Sequence, residues 1–476
     1  MVRTRKFTFW LIALSIAGLV LRLAYAYFSK WDQKVWGDAF YYHFQANGLV
    51  DGAGFMKYLP TLVNGQYQGG HVAAGLSADH PPLAPLYYAF WSLFGLSSFH
   101  WHMVAGCVVG AGTVYMCGLL GREVVGERTG LIAAGIAAVY ANLWVYDPLV
   151  TSETLTIFMV SVVLFWSYRF WRKPSMWNGV WFGMACGVAA LTRAEVIAFI
   201  PVVFLPFVLR VKDWDWKYRL KVLVVASSMV LLFLAPWVIR NMTTFKHPLY
   251  LSGGAEITLM SANCDLTYNG PLLGWWSMQC LANDRGELKT PPGDASEQAA
   301  EWSRRARTYI SEHLGDLPRV ELARLGRVFE LYHPGSPWGP INGDQKIAFD
   351  VYEGRAEYAA RIALAQYYVL MPLAIAGGVI LWRRRVTILP VLGLLLIVVS
   401  AVLISFGNTR YRSPLEVGVV LFAAVTIDAL IRRWKPPRAD AGTEDEPPAD
   451  GHPTDGPPND EPPTDALPPE PAPVAG

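Results

Sequence analysis

Charge is scarce in this sequence. Asp, Glu, Lys and Arg make up 16% of its 476 residues, against about 25% in ordinary soluble domains. That composition argues against a large soluble enzyme. The chain also lacks a Walker loop, a Rossmann fingerprint and a GxSxG elbow, which removes three common ways of gripping a nucleotide or activating a serine. Cysteine is sparse: five residues, none in CxxC spacing, which argues against a zinc site. No dense His or carboxylate ligand spacing is present, and no internal repeat.

Apolar residues are plentiful instead, at 53%. A bilayer core takes about 20 mostly apolar helical residues. Runs of that kind fall at about 7–28, 101–120, 129–147, 153–171, 176–192, 194–210, 219–239, 366–382, 386–406 and 413–431. The expectation is an all-α polytopic membrane protein with about ten spans, within a range of nine to twelve. The first run is long and lacks a small-residue cleavage site, so it reads as an uncleaved span. Lys and Arg favour the cytoplasmic side of short loops. Placing the N-terminus inside puts "RTRK", "GREVVGER", "RFWRK", "RVKDWDWKYRLK", "WRRR" and "RRWKPPR" on that side, with 20 of the 40 basic residues. Both termini are then cytoplasmic, and the protein belongs in the cell membrane.

Two segments on the outer side, 29–100 and 240–365, are too large for simple connections. In the first, residues 38–51 read as a helix opening on Asp38 and stopped by Gly52. "ADHPPLAPLYYAFWSLFG" then gives an apolar helix of only about 13 residues, which reads as interfacial rather than spanning. In the second, the charged amphipathic stretch "DASEQAAEWSRRARTYISEHLGDLPRVELARLGRVFELY" points to a small, mainly helical cap. Residues 1–435 form the membrane domain. The tail 436–476 holds 13 of the 33 prolines and ten acids, a composition that cannot bury a core and predicts disorder.

The conspicuous polar residues collect on the outer face: Asp38, His43, Asp79, His80, Asp147, Glu153, Arg193, Glu195, Arg410, Tyr411 and Arg412. Each has a plainer reading alone. Asp38, Asp79 and His80 fit helix caps, Asp147 precedes a proline in a turn, and Arg410 and Arg412 fit interfacial anchors that snorkel. Arg22, inside the first span, either snorkels or pairs with an acid. Cys107, Cys117 and Cys186 fall inside spans as packing residues. Cys264 and Cys280 fall in the outer cap, where an oxidising compartment permits a disulfide.

"GDAFYYHFQANGLVDGAGF" followed by "HPPLAPLYYAFWSLFG" resembles the first outer loop of the GT-C membrane glycosyltransferases. The resemblance is to the family 39 branch, which holds protein O-mannosyltransferases and aminoarabinose transferases, and to its actinobacterial members. "TSETL", "LTRAE", "PWVIRN", "SANCDLTYNGPLLGWWSMQC" and "RYRSP" resemble the same group, so the likeness runs from about residue 5 to 430. It implies a GT-C fold and transfer of a sugar, mannose or pentose-like, from a polyprenyl-phosphate carrier to an extracytoplasmic glycan, lipid or protein, with inversion. It implies Asp38 as the catalytic carboxylate and puts His80 at the donor-phosphate position; a phosphate leaving group needs positive charge, which points to Arg410 and Arg412 around Tyr411 on the same face, with His43, Asp147, Glu153 and Arg193 in support. His80 stands where aminoarabinose transferases carry lysine, and Ala39 where eukaryotic mannosyltransferases carry a second acid. Family members use a divalent metal ion or none. Membrane lipids are the implied surroundings, with no nucleic-acid partner. The competing reading is a lipid-linked sugar flippase or a transporter, but transporter sites sit near the midplane on broken helices, and here the polar residues gather at one boundary.

Overall fold

The computed structural model describes residues 2–33, 35, 37–63, 66–282, 290–332 and 354–434. Trp36, beside the Gly-Asp motif, and the tail expected to be disordered lie outside them. The chain divides into Met1–Ile431 and Arg432–Gly476. Of the second unit only Arg432, Arg433 and Trp434 are described, as the final residues of helix Glu416–Trp434.

The protein is a polytopic α-helical membrane protein, its described residues mostly helical. Among the described residues, six helical segments are long and apolar enough to span a bilayer: Arg5–Lys30, Phe99–Val124, Ser152–Arg172, Trp216–Thr244, Glu357–Arg383 and Thr409–Trp434. A seventh arises if the bent pair Glu127–Val139 and Ala141–Leu149 is one span. The count is lower than ten because the remaining runs are short or irregular. The run at 176–192 is a 15-residue helix, Met176–Ala190. Leu389–Ile404 has 16 residues, and 194–210 is broken into 3-10, π and α pieces with Pro201 and Pro206 at their starts. The predicted span at 129–147 bends by 69° at Tyr140.

That bend turns the following chain inward. Asp147 opens a short 3-10 turn, Asp147–Leu149, and is 1% exposed. Arg22 Nε donates to its Oδ2 at 2.6 Å, and Thr154 Oγ1 to its Oδ1 at 2.9 Å. Arg22 also donates to the Gly18 and Ala138 carbonyls. The glycine at 110 lets the pair fit, since a Cβ there would strike both side chains.

Segment 37–97 contains a form the sequence reading missed. Met56–Val63 and Gln66–Leu76 pair as an antiparallel hairpin, Val63 opposite Gln66 and Met56 opposite Leu76. The helices on either side form as expected, over Asp38–Val50 and Leu83–Leu93. The latter has 11 residues, about 16 Å at 1.5 Å per residue, roughly half a bilayer core. It buries Ala84, Tyr88 and Ala89 and leaves Leu86, Phe90 and Leu93 exposed, as an interfacial helix does.

The cap packs helices Gly254–Ser261, Ala295–Glu312 and Leu317–Val328. Asp294 and Glu297 form a reciprocal capping box at the start of the second. Cys264 and Cys280 are disulfide-bonded. Arg324 ties this layer down, donating to the Leu403, Ala262 and Asn263 oxygens.

Candidate active site

Five separate stretches bring polar groups together. Asp38 begins helix Asp38–Val50, entered through Gly37 at φ 60. A positive φ favours glycine, so the Gly-Asp order is a backbone requirement of this start. No side chain caps the helix. The Asp38 carboxylate instead meets Arg410, whose guanidinium donates to both Asp38 Oδ2 and Glu153 Oε1. Glu153 lies in the first turn of Ser152–Arg172. Arg410 sits in the short helix Thr409–Arg412, which Asn408 caps by accepting from the Arg410 N–H at 2.8 Å.

His80 Nε2 lies 3.9 Å from Asp38 Oδ1, with its ring against Tyr41 and Tyr42. Its backbone neighbourhood is fixed. Gly253 and Gly254 donate to the Ala78 and Asp79 carbonyls at 2.8 and 3.1 Å. Leu83 N–H, just beyond Pro81 and Pro82, donates to the Leu191 carbonyl at 3.0 Å. Asp79 faces Lys57 of the hairpin at 4.0 Å. Arg193 follows helix Met176–Ala190, lies 3.4 Å from Glu195 and covers the Tyr411 ring at 4.8 Å.

Asp38 is 31% exposed and Glu153 is 1% exposed. Burial pushes the Asp38 carboxyl up, but the guanidinium of Arg410 beside it, with His80 and Arg193 adding to its pull, outweighs burial and holds the group at about 2. Asp38 is therefore an ionised acceptor at neutral pH, held in place by a charge-assisted bond.

The structure thus gathers Asp38, His80, Glu153, Arg193, Arg410 and Tyr411. It does not bring in Asp147, which is committed to Arg22 inside the bundle. Nor does it bring in His43, which is 8% exposed. Its Nδ1 lies 3.0 Å from His102 Nδ1; His102 Nε2 is 2.9 Å from Ser92 Oγ, which donates to Asn47 at 2.7 Å. That chain of contacts fastens the Asp38 helix to its neighbours. Arg412 also points elsewhere. It is 1% exposed, donates to Glu416 and the Val328 carbonyl at 2.6 Å, and covers the Tyr367 ring at 3.7 Å. Two residues apart on a helical turn, Arg410 and Arg412 face different directions, so a clamp of both on one phosphate does not form. Lys57 and Glu195 are the charged additions to the neighbourhood. Glu195 was visible in "LTRAE", whereas Lys57 is placed by the unforeseen hairpin. Among the described residues no three His, Cys, Asp or Glu side chains are grouped to hold a metal ion, and no step below uses one.

A helical membrane protein with a cluster of charged side chains at its helix ends is the class that fold and site define. Residues 79–239 match the family model of dolichyl-phosphate-mannose-protein mannosyltransferases. The chain superimposes on the Archaeoglobus fulgidus oligosaccharyltransferase in its apo form with TM-score 0.51 at 15% identity, over 90% of this chain and 51% of that one. The same archaeal protein, AglB, in complex with an inhibitory peptide and a dolichol-phosphate gives TM-score 0.50 at 14% identity, over 90% and 51%. ArnT from Cupriavidus metallidurans bound to undecaprenyl phosphate gives 0.39 at 17% identity, over 89% and 78%. No curated protein matches the sequence significantly. The chain spans about half the length of the oligosaccharyltransferase. The likeness to the archaeal oligosaccharyltransferase shows a shared fold.

Proposed function

We propose that the protein is a glycosyltransferase that moves a sugar from a polyprenyl-phosphate carrier to an acceptor outside the cytoplasm, with inversion at the anomeric carbon. The observation that carries this is the ionised Asp38, bonded to Arg410 and backed by Glu153, in a GT-C fold. An acceptor hydroxyl donates a hydrogen bond to Asp38 and attacks the anomeric carbon. The bond from that carbon to the phosphate oxygen breaks, and the polyprenyl phosphate leaves with the electron pair. The hydroxyl proton passes to Asp38 as the new bond forms. So acidic a carboxylate accepts that proton only late, and its main service is to orient the nucleophile. The departing phosphate is a weak base and needs positive charge rather than an acid. The positive-inside distribution supports an extracytoplasmic site, where a lipid-linked donor replaces nucleotide sugars. The family match supports mannose as the first sugar to try.

The test incubates purified protein with radiolabelled polyprenyl-phosphate mannose and pentose and with cell-envelope extract. Labelled glycan, lipid or protein is the expected product. Transbilayer movement of the donor in liposomes without any transfer would overturn the reading in favour of a flippase.

A further inference from the structure

The long helix Glu357–Arg383 runs out in three consecutive arginines, Arg383, Arg384 and Arg385, all exposed. Among the described residues, none of their side chains takes part in a hydrogen bond or an ion pair. The arginines around the turns at 125 and 173 are engaged instead. Arg122 lies 3.9 Å from Glu127, and Arg128 is bonded to Asp428. Arg169 donates to Glu123 and Arg172 to the Val124 carbonyl, both at 3.1 Å. Three adjoining guanidiniums without a counter-ion repel one another, and an anion from outside the chain relieves that repulsion.

The backbone supplies a second observation. Val386 N–H donates to the Leu381 carbonyl and Arg385 N–H to the Trp382 carbonyl, both at 3.0 Å, which closes the helix in a Schellman turn. That turn holds Arg385 at φ 58, in the left-handed region where glycine fits freely and an L side chain is strained. Cations do gain from the dipole at a helix C-terminus, but Arg383 and Arg384 already stand there. The side chain at 385 is kept against the preference of its own backbone, and it makes no bond within the fold.

The surroundings say what kind of anion fits. Ile375, Val379 and Trp382 are exposed, and their spacing of four and then three residues lays them on one face of the helix. This apolar face ends at Arg383, so the arginines stand where hydrocarbon gives way to headgroups. Trp382 is an aromatic residue of the kind enriched at that depth. A guanidinium grips phosphate oxygens bidentately.

We propose that Arg383, Arg384 and Arg385 form a binding site for the phosphate of an anionic phospholipid, whose acyl chain lies along the Ile375, Val379 and Trp382 face. Helix Leu389–Ile404, 16 residues long and so about 24 Å, separates this turn from the Arg410 turn. The site is therefore distinct from the sugar-transfer centre and does not depend on the reading of that centre.

The test measures binding of phosphatidylglycerol to the full-length protein in neutral detergent by native mass spectrometry. Phosphatidylcholine with the same chains and inorganic phosphate are separate arms. Wild type binds phosphatidylglycerol at least about tenfold more tightly than phosphatidylcholine, and excess inorganic phosphate does not displace it, since headgroup and chain act together. Arg385→Gly removes one charge and the strained side chain at once. Phosphatidylglycerol affinity falls about fivefold, the value of one basic residue at an anionic surface. The unfolding temperature in lipid-free detergent holds or rises. Arg383→Gln, Arg384→Gln and Arg385→Gln together erase the preference for phosphatidylglycerol. Lys217→Gln with Lys221→Gln, exposed cations at the head of helix Trp216–Thr244, leaves it unchanged. Equal binding of the two lipids by wild type, or displacement by inorganic phosphate, overturns the site. So does a triple variant that keeps the preference, or a lysine pair whose loss matters as much as the arginines. Wild-type affinity in Arg385→Gly overturns the part given to that residue, and a lower unfolding temperature there would show its side chain serving the fold instead.

Discussion

An arginine shared between two carboxylates fixes both in space, and that constrains what single substitutions do. Asp38→Asn keeps shape and one acceptor oxygen but loses the charge. Transfer should fall about 10²-fold or more with little change in expression, measured as kcat under saturating donor and acceptor. The same residue sets a pH signature. Its carboxyl lies at about 2 in the protein, below the ordinary 3.8. A depressed carboxyl contributes stability above its unfolded value and loses it as pH falls through the folded one. The melting-temperature gap between wild type and Asp38→Asn should therefore be constant from about pH 8 to 5 and close below about pH 4. A gap that shrinks already between pH 7 and 5 would show Asp38 titrating in that range. Arg412 offers the contrast. Arg412→Met leaves Glu416 buried without its partner, at a cost of about 3–5 kcal/mol. It should lower thermal stability while the KM for donor stays unchanged in protein that remains folded. A raised KM at unchanged stability would return Arg412 to the donor site.

At the scale of elements, one buried ion pair holds three segments: the first helix, the bend after Tyr140 and the start of Ser152–Arg172. Arg22→Met strands Asp147 and should cost about 3–5 kcal/mol, whereas Arg22→Met with Asp147→Leu should recover most of that loss. Thermal unfolding in detergent reads the difference. Equal destabilisation by single and double variants would mean the ion pair does not hold the bend. The same elements show what a sequence reveals. Helices Asp38–Val50 and Leu83–Leu93 were legible because apolar spacing and a Gly or Pro boundary agree locally. The hairpin 56–76 was not read, although "NG" at 64–65 is a strong two-residue turn signal. Its first strand carries a proline, its second three glycines, and neither alternates cleanly. The burial of Asp147 was illegible for a different reason. A 69° bend inside an apolar run leaves no trace in hydropathy, yet it moves a carboxylate from the boundary into the bundle. Likewise the RYR motif identified the right turn, but which arginine faced Asp38 depended on the helical phase of four residues.

For the whole molecule, the cap and the membrane helices are joined by contacts as well as by chain. The disulfide between Cys264 and Cys280 closes a loop of separation 16, a closure worth about 3 kcal/mol. Cys264→Ser with Cys280→Ser should lower the unfolding temperature and increase proteolysis of residues 254–282. Unchanged protease resistance would make the bond dispensable. Removing residues 440–476 should leave transfer intact, because in the proposed topology a proline- and acid-rich tail on the cytoplasmic side has no route to an outer site. Loss of activity in an equally expressed deletion would contradict that topology.

Asp38 and Arg410 are separated by 372 residues. At about 5–20 residues per second of synthesis, their manufacture is separated by roughly 20–70 s. Throughout that interval the growing chain already carries Asp38, and later Glu153, with no Arg410 to neutralise them. The active constellation is thus a late product of translation, completed only when the last apolar segments enter the bilayer. A ribosome that stalls before codon 410 leaves a membrane-embedded fragment in which Asp38 and Glu153 lack the guanidinium that bonds both of them and retain the more distant His80 and Arg193.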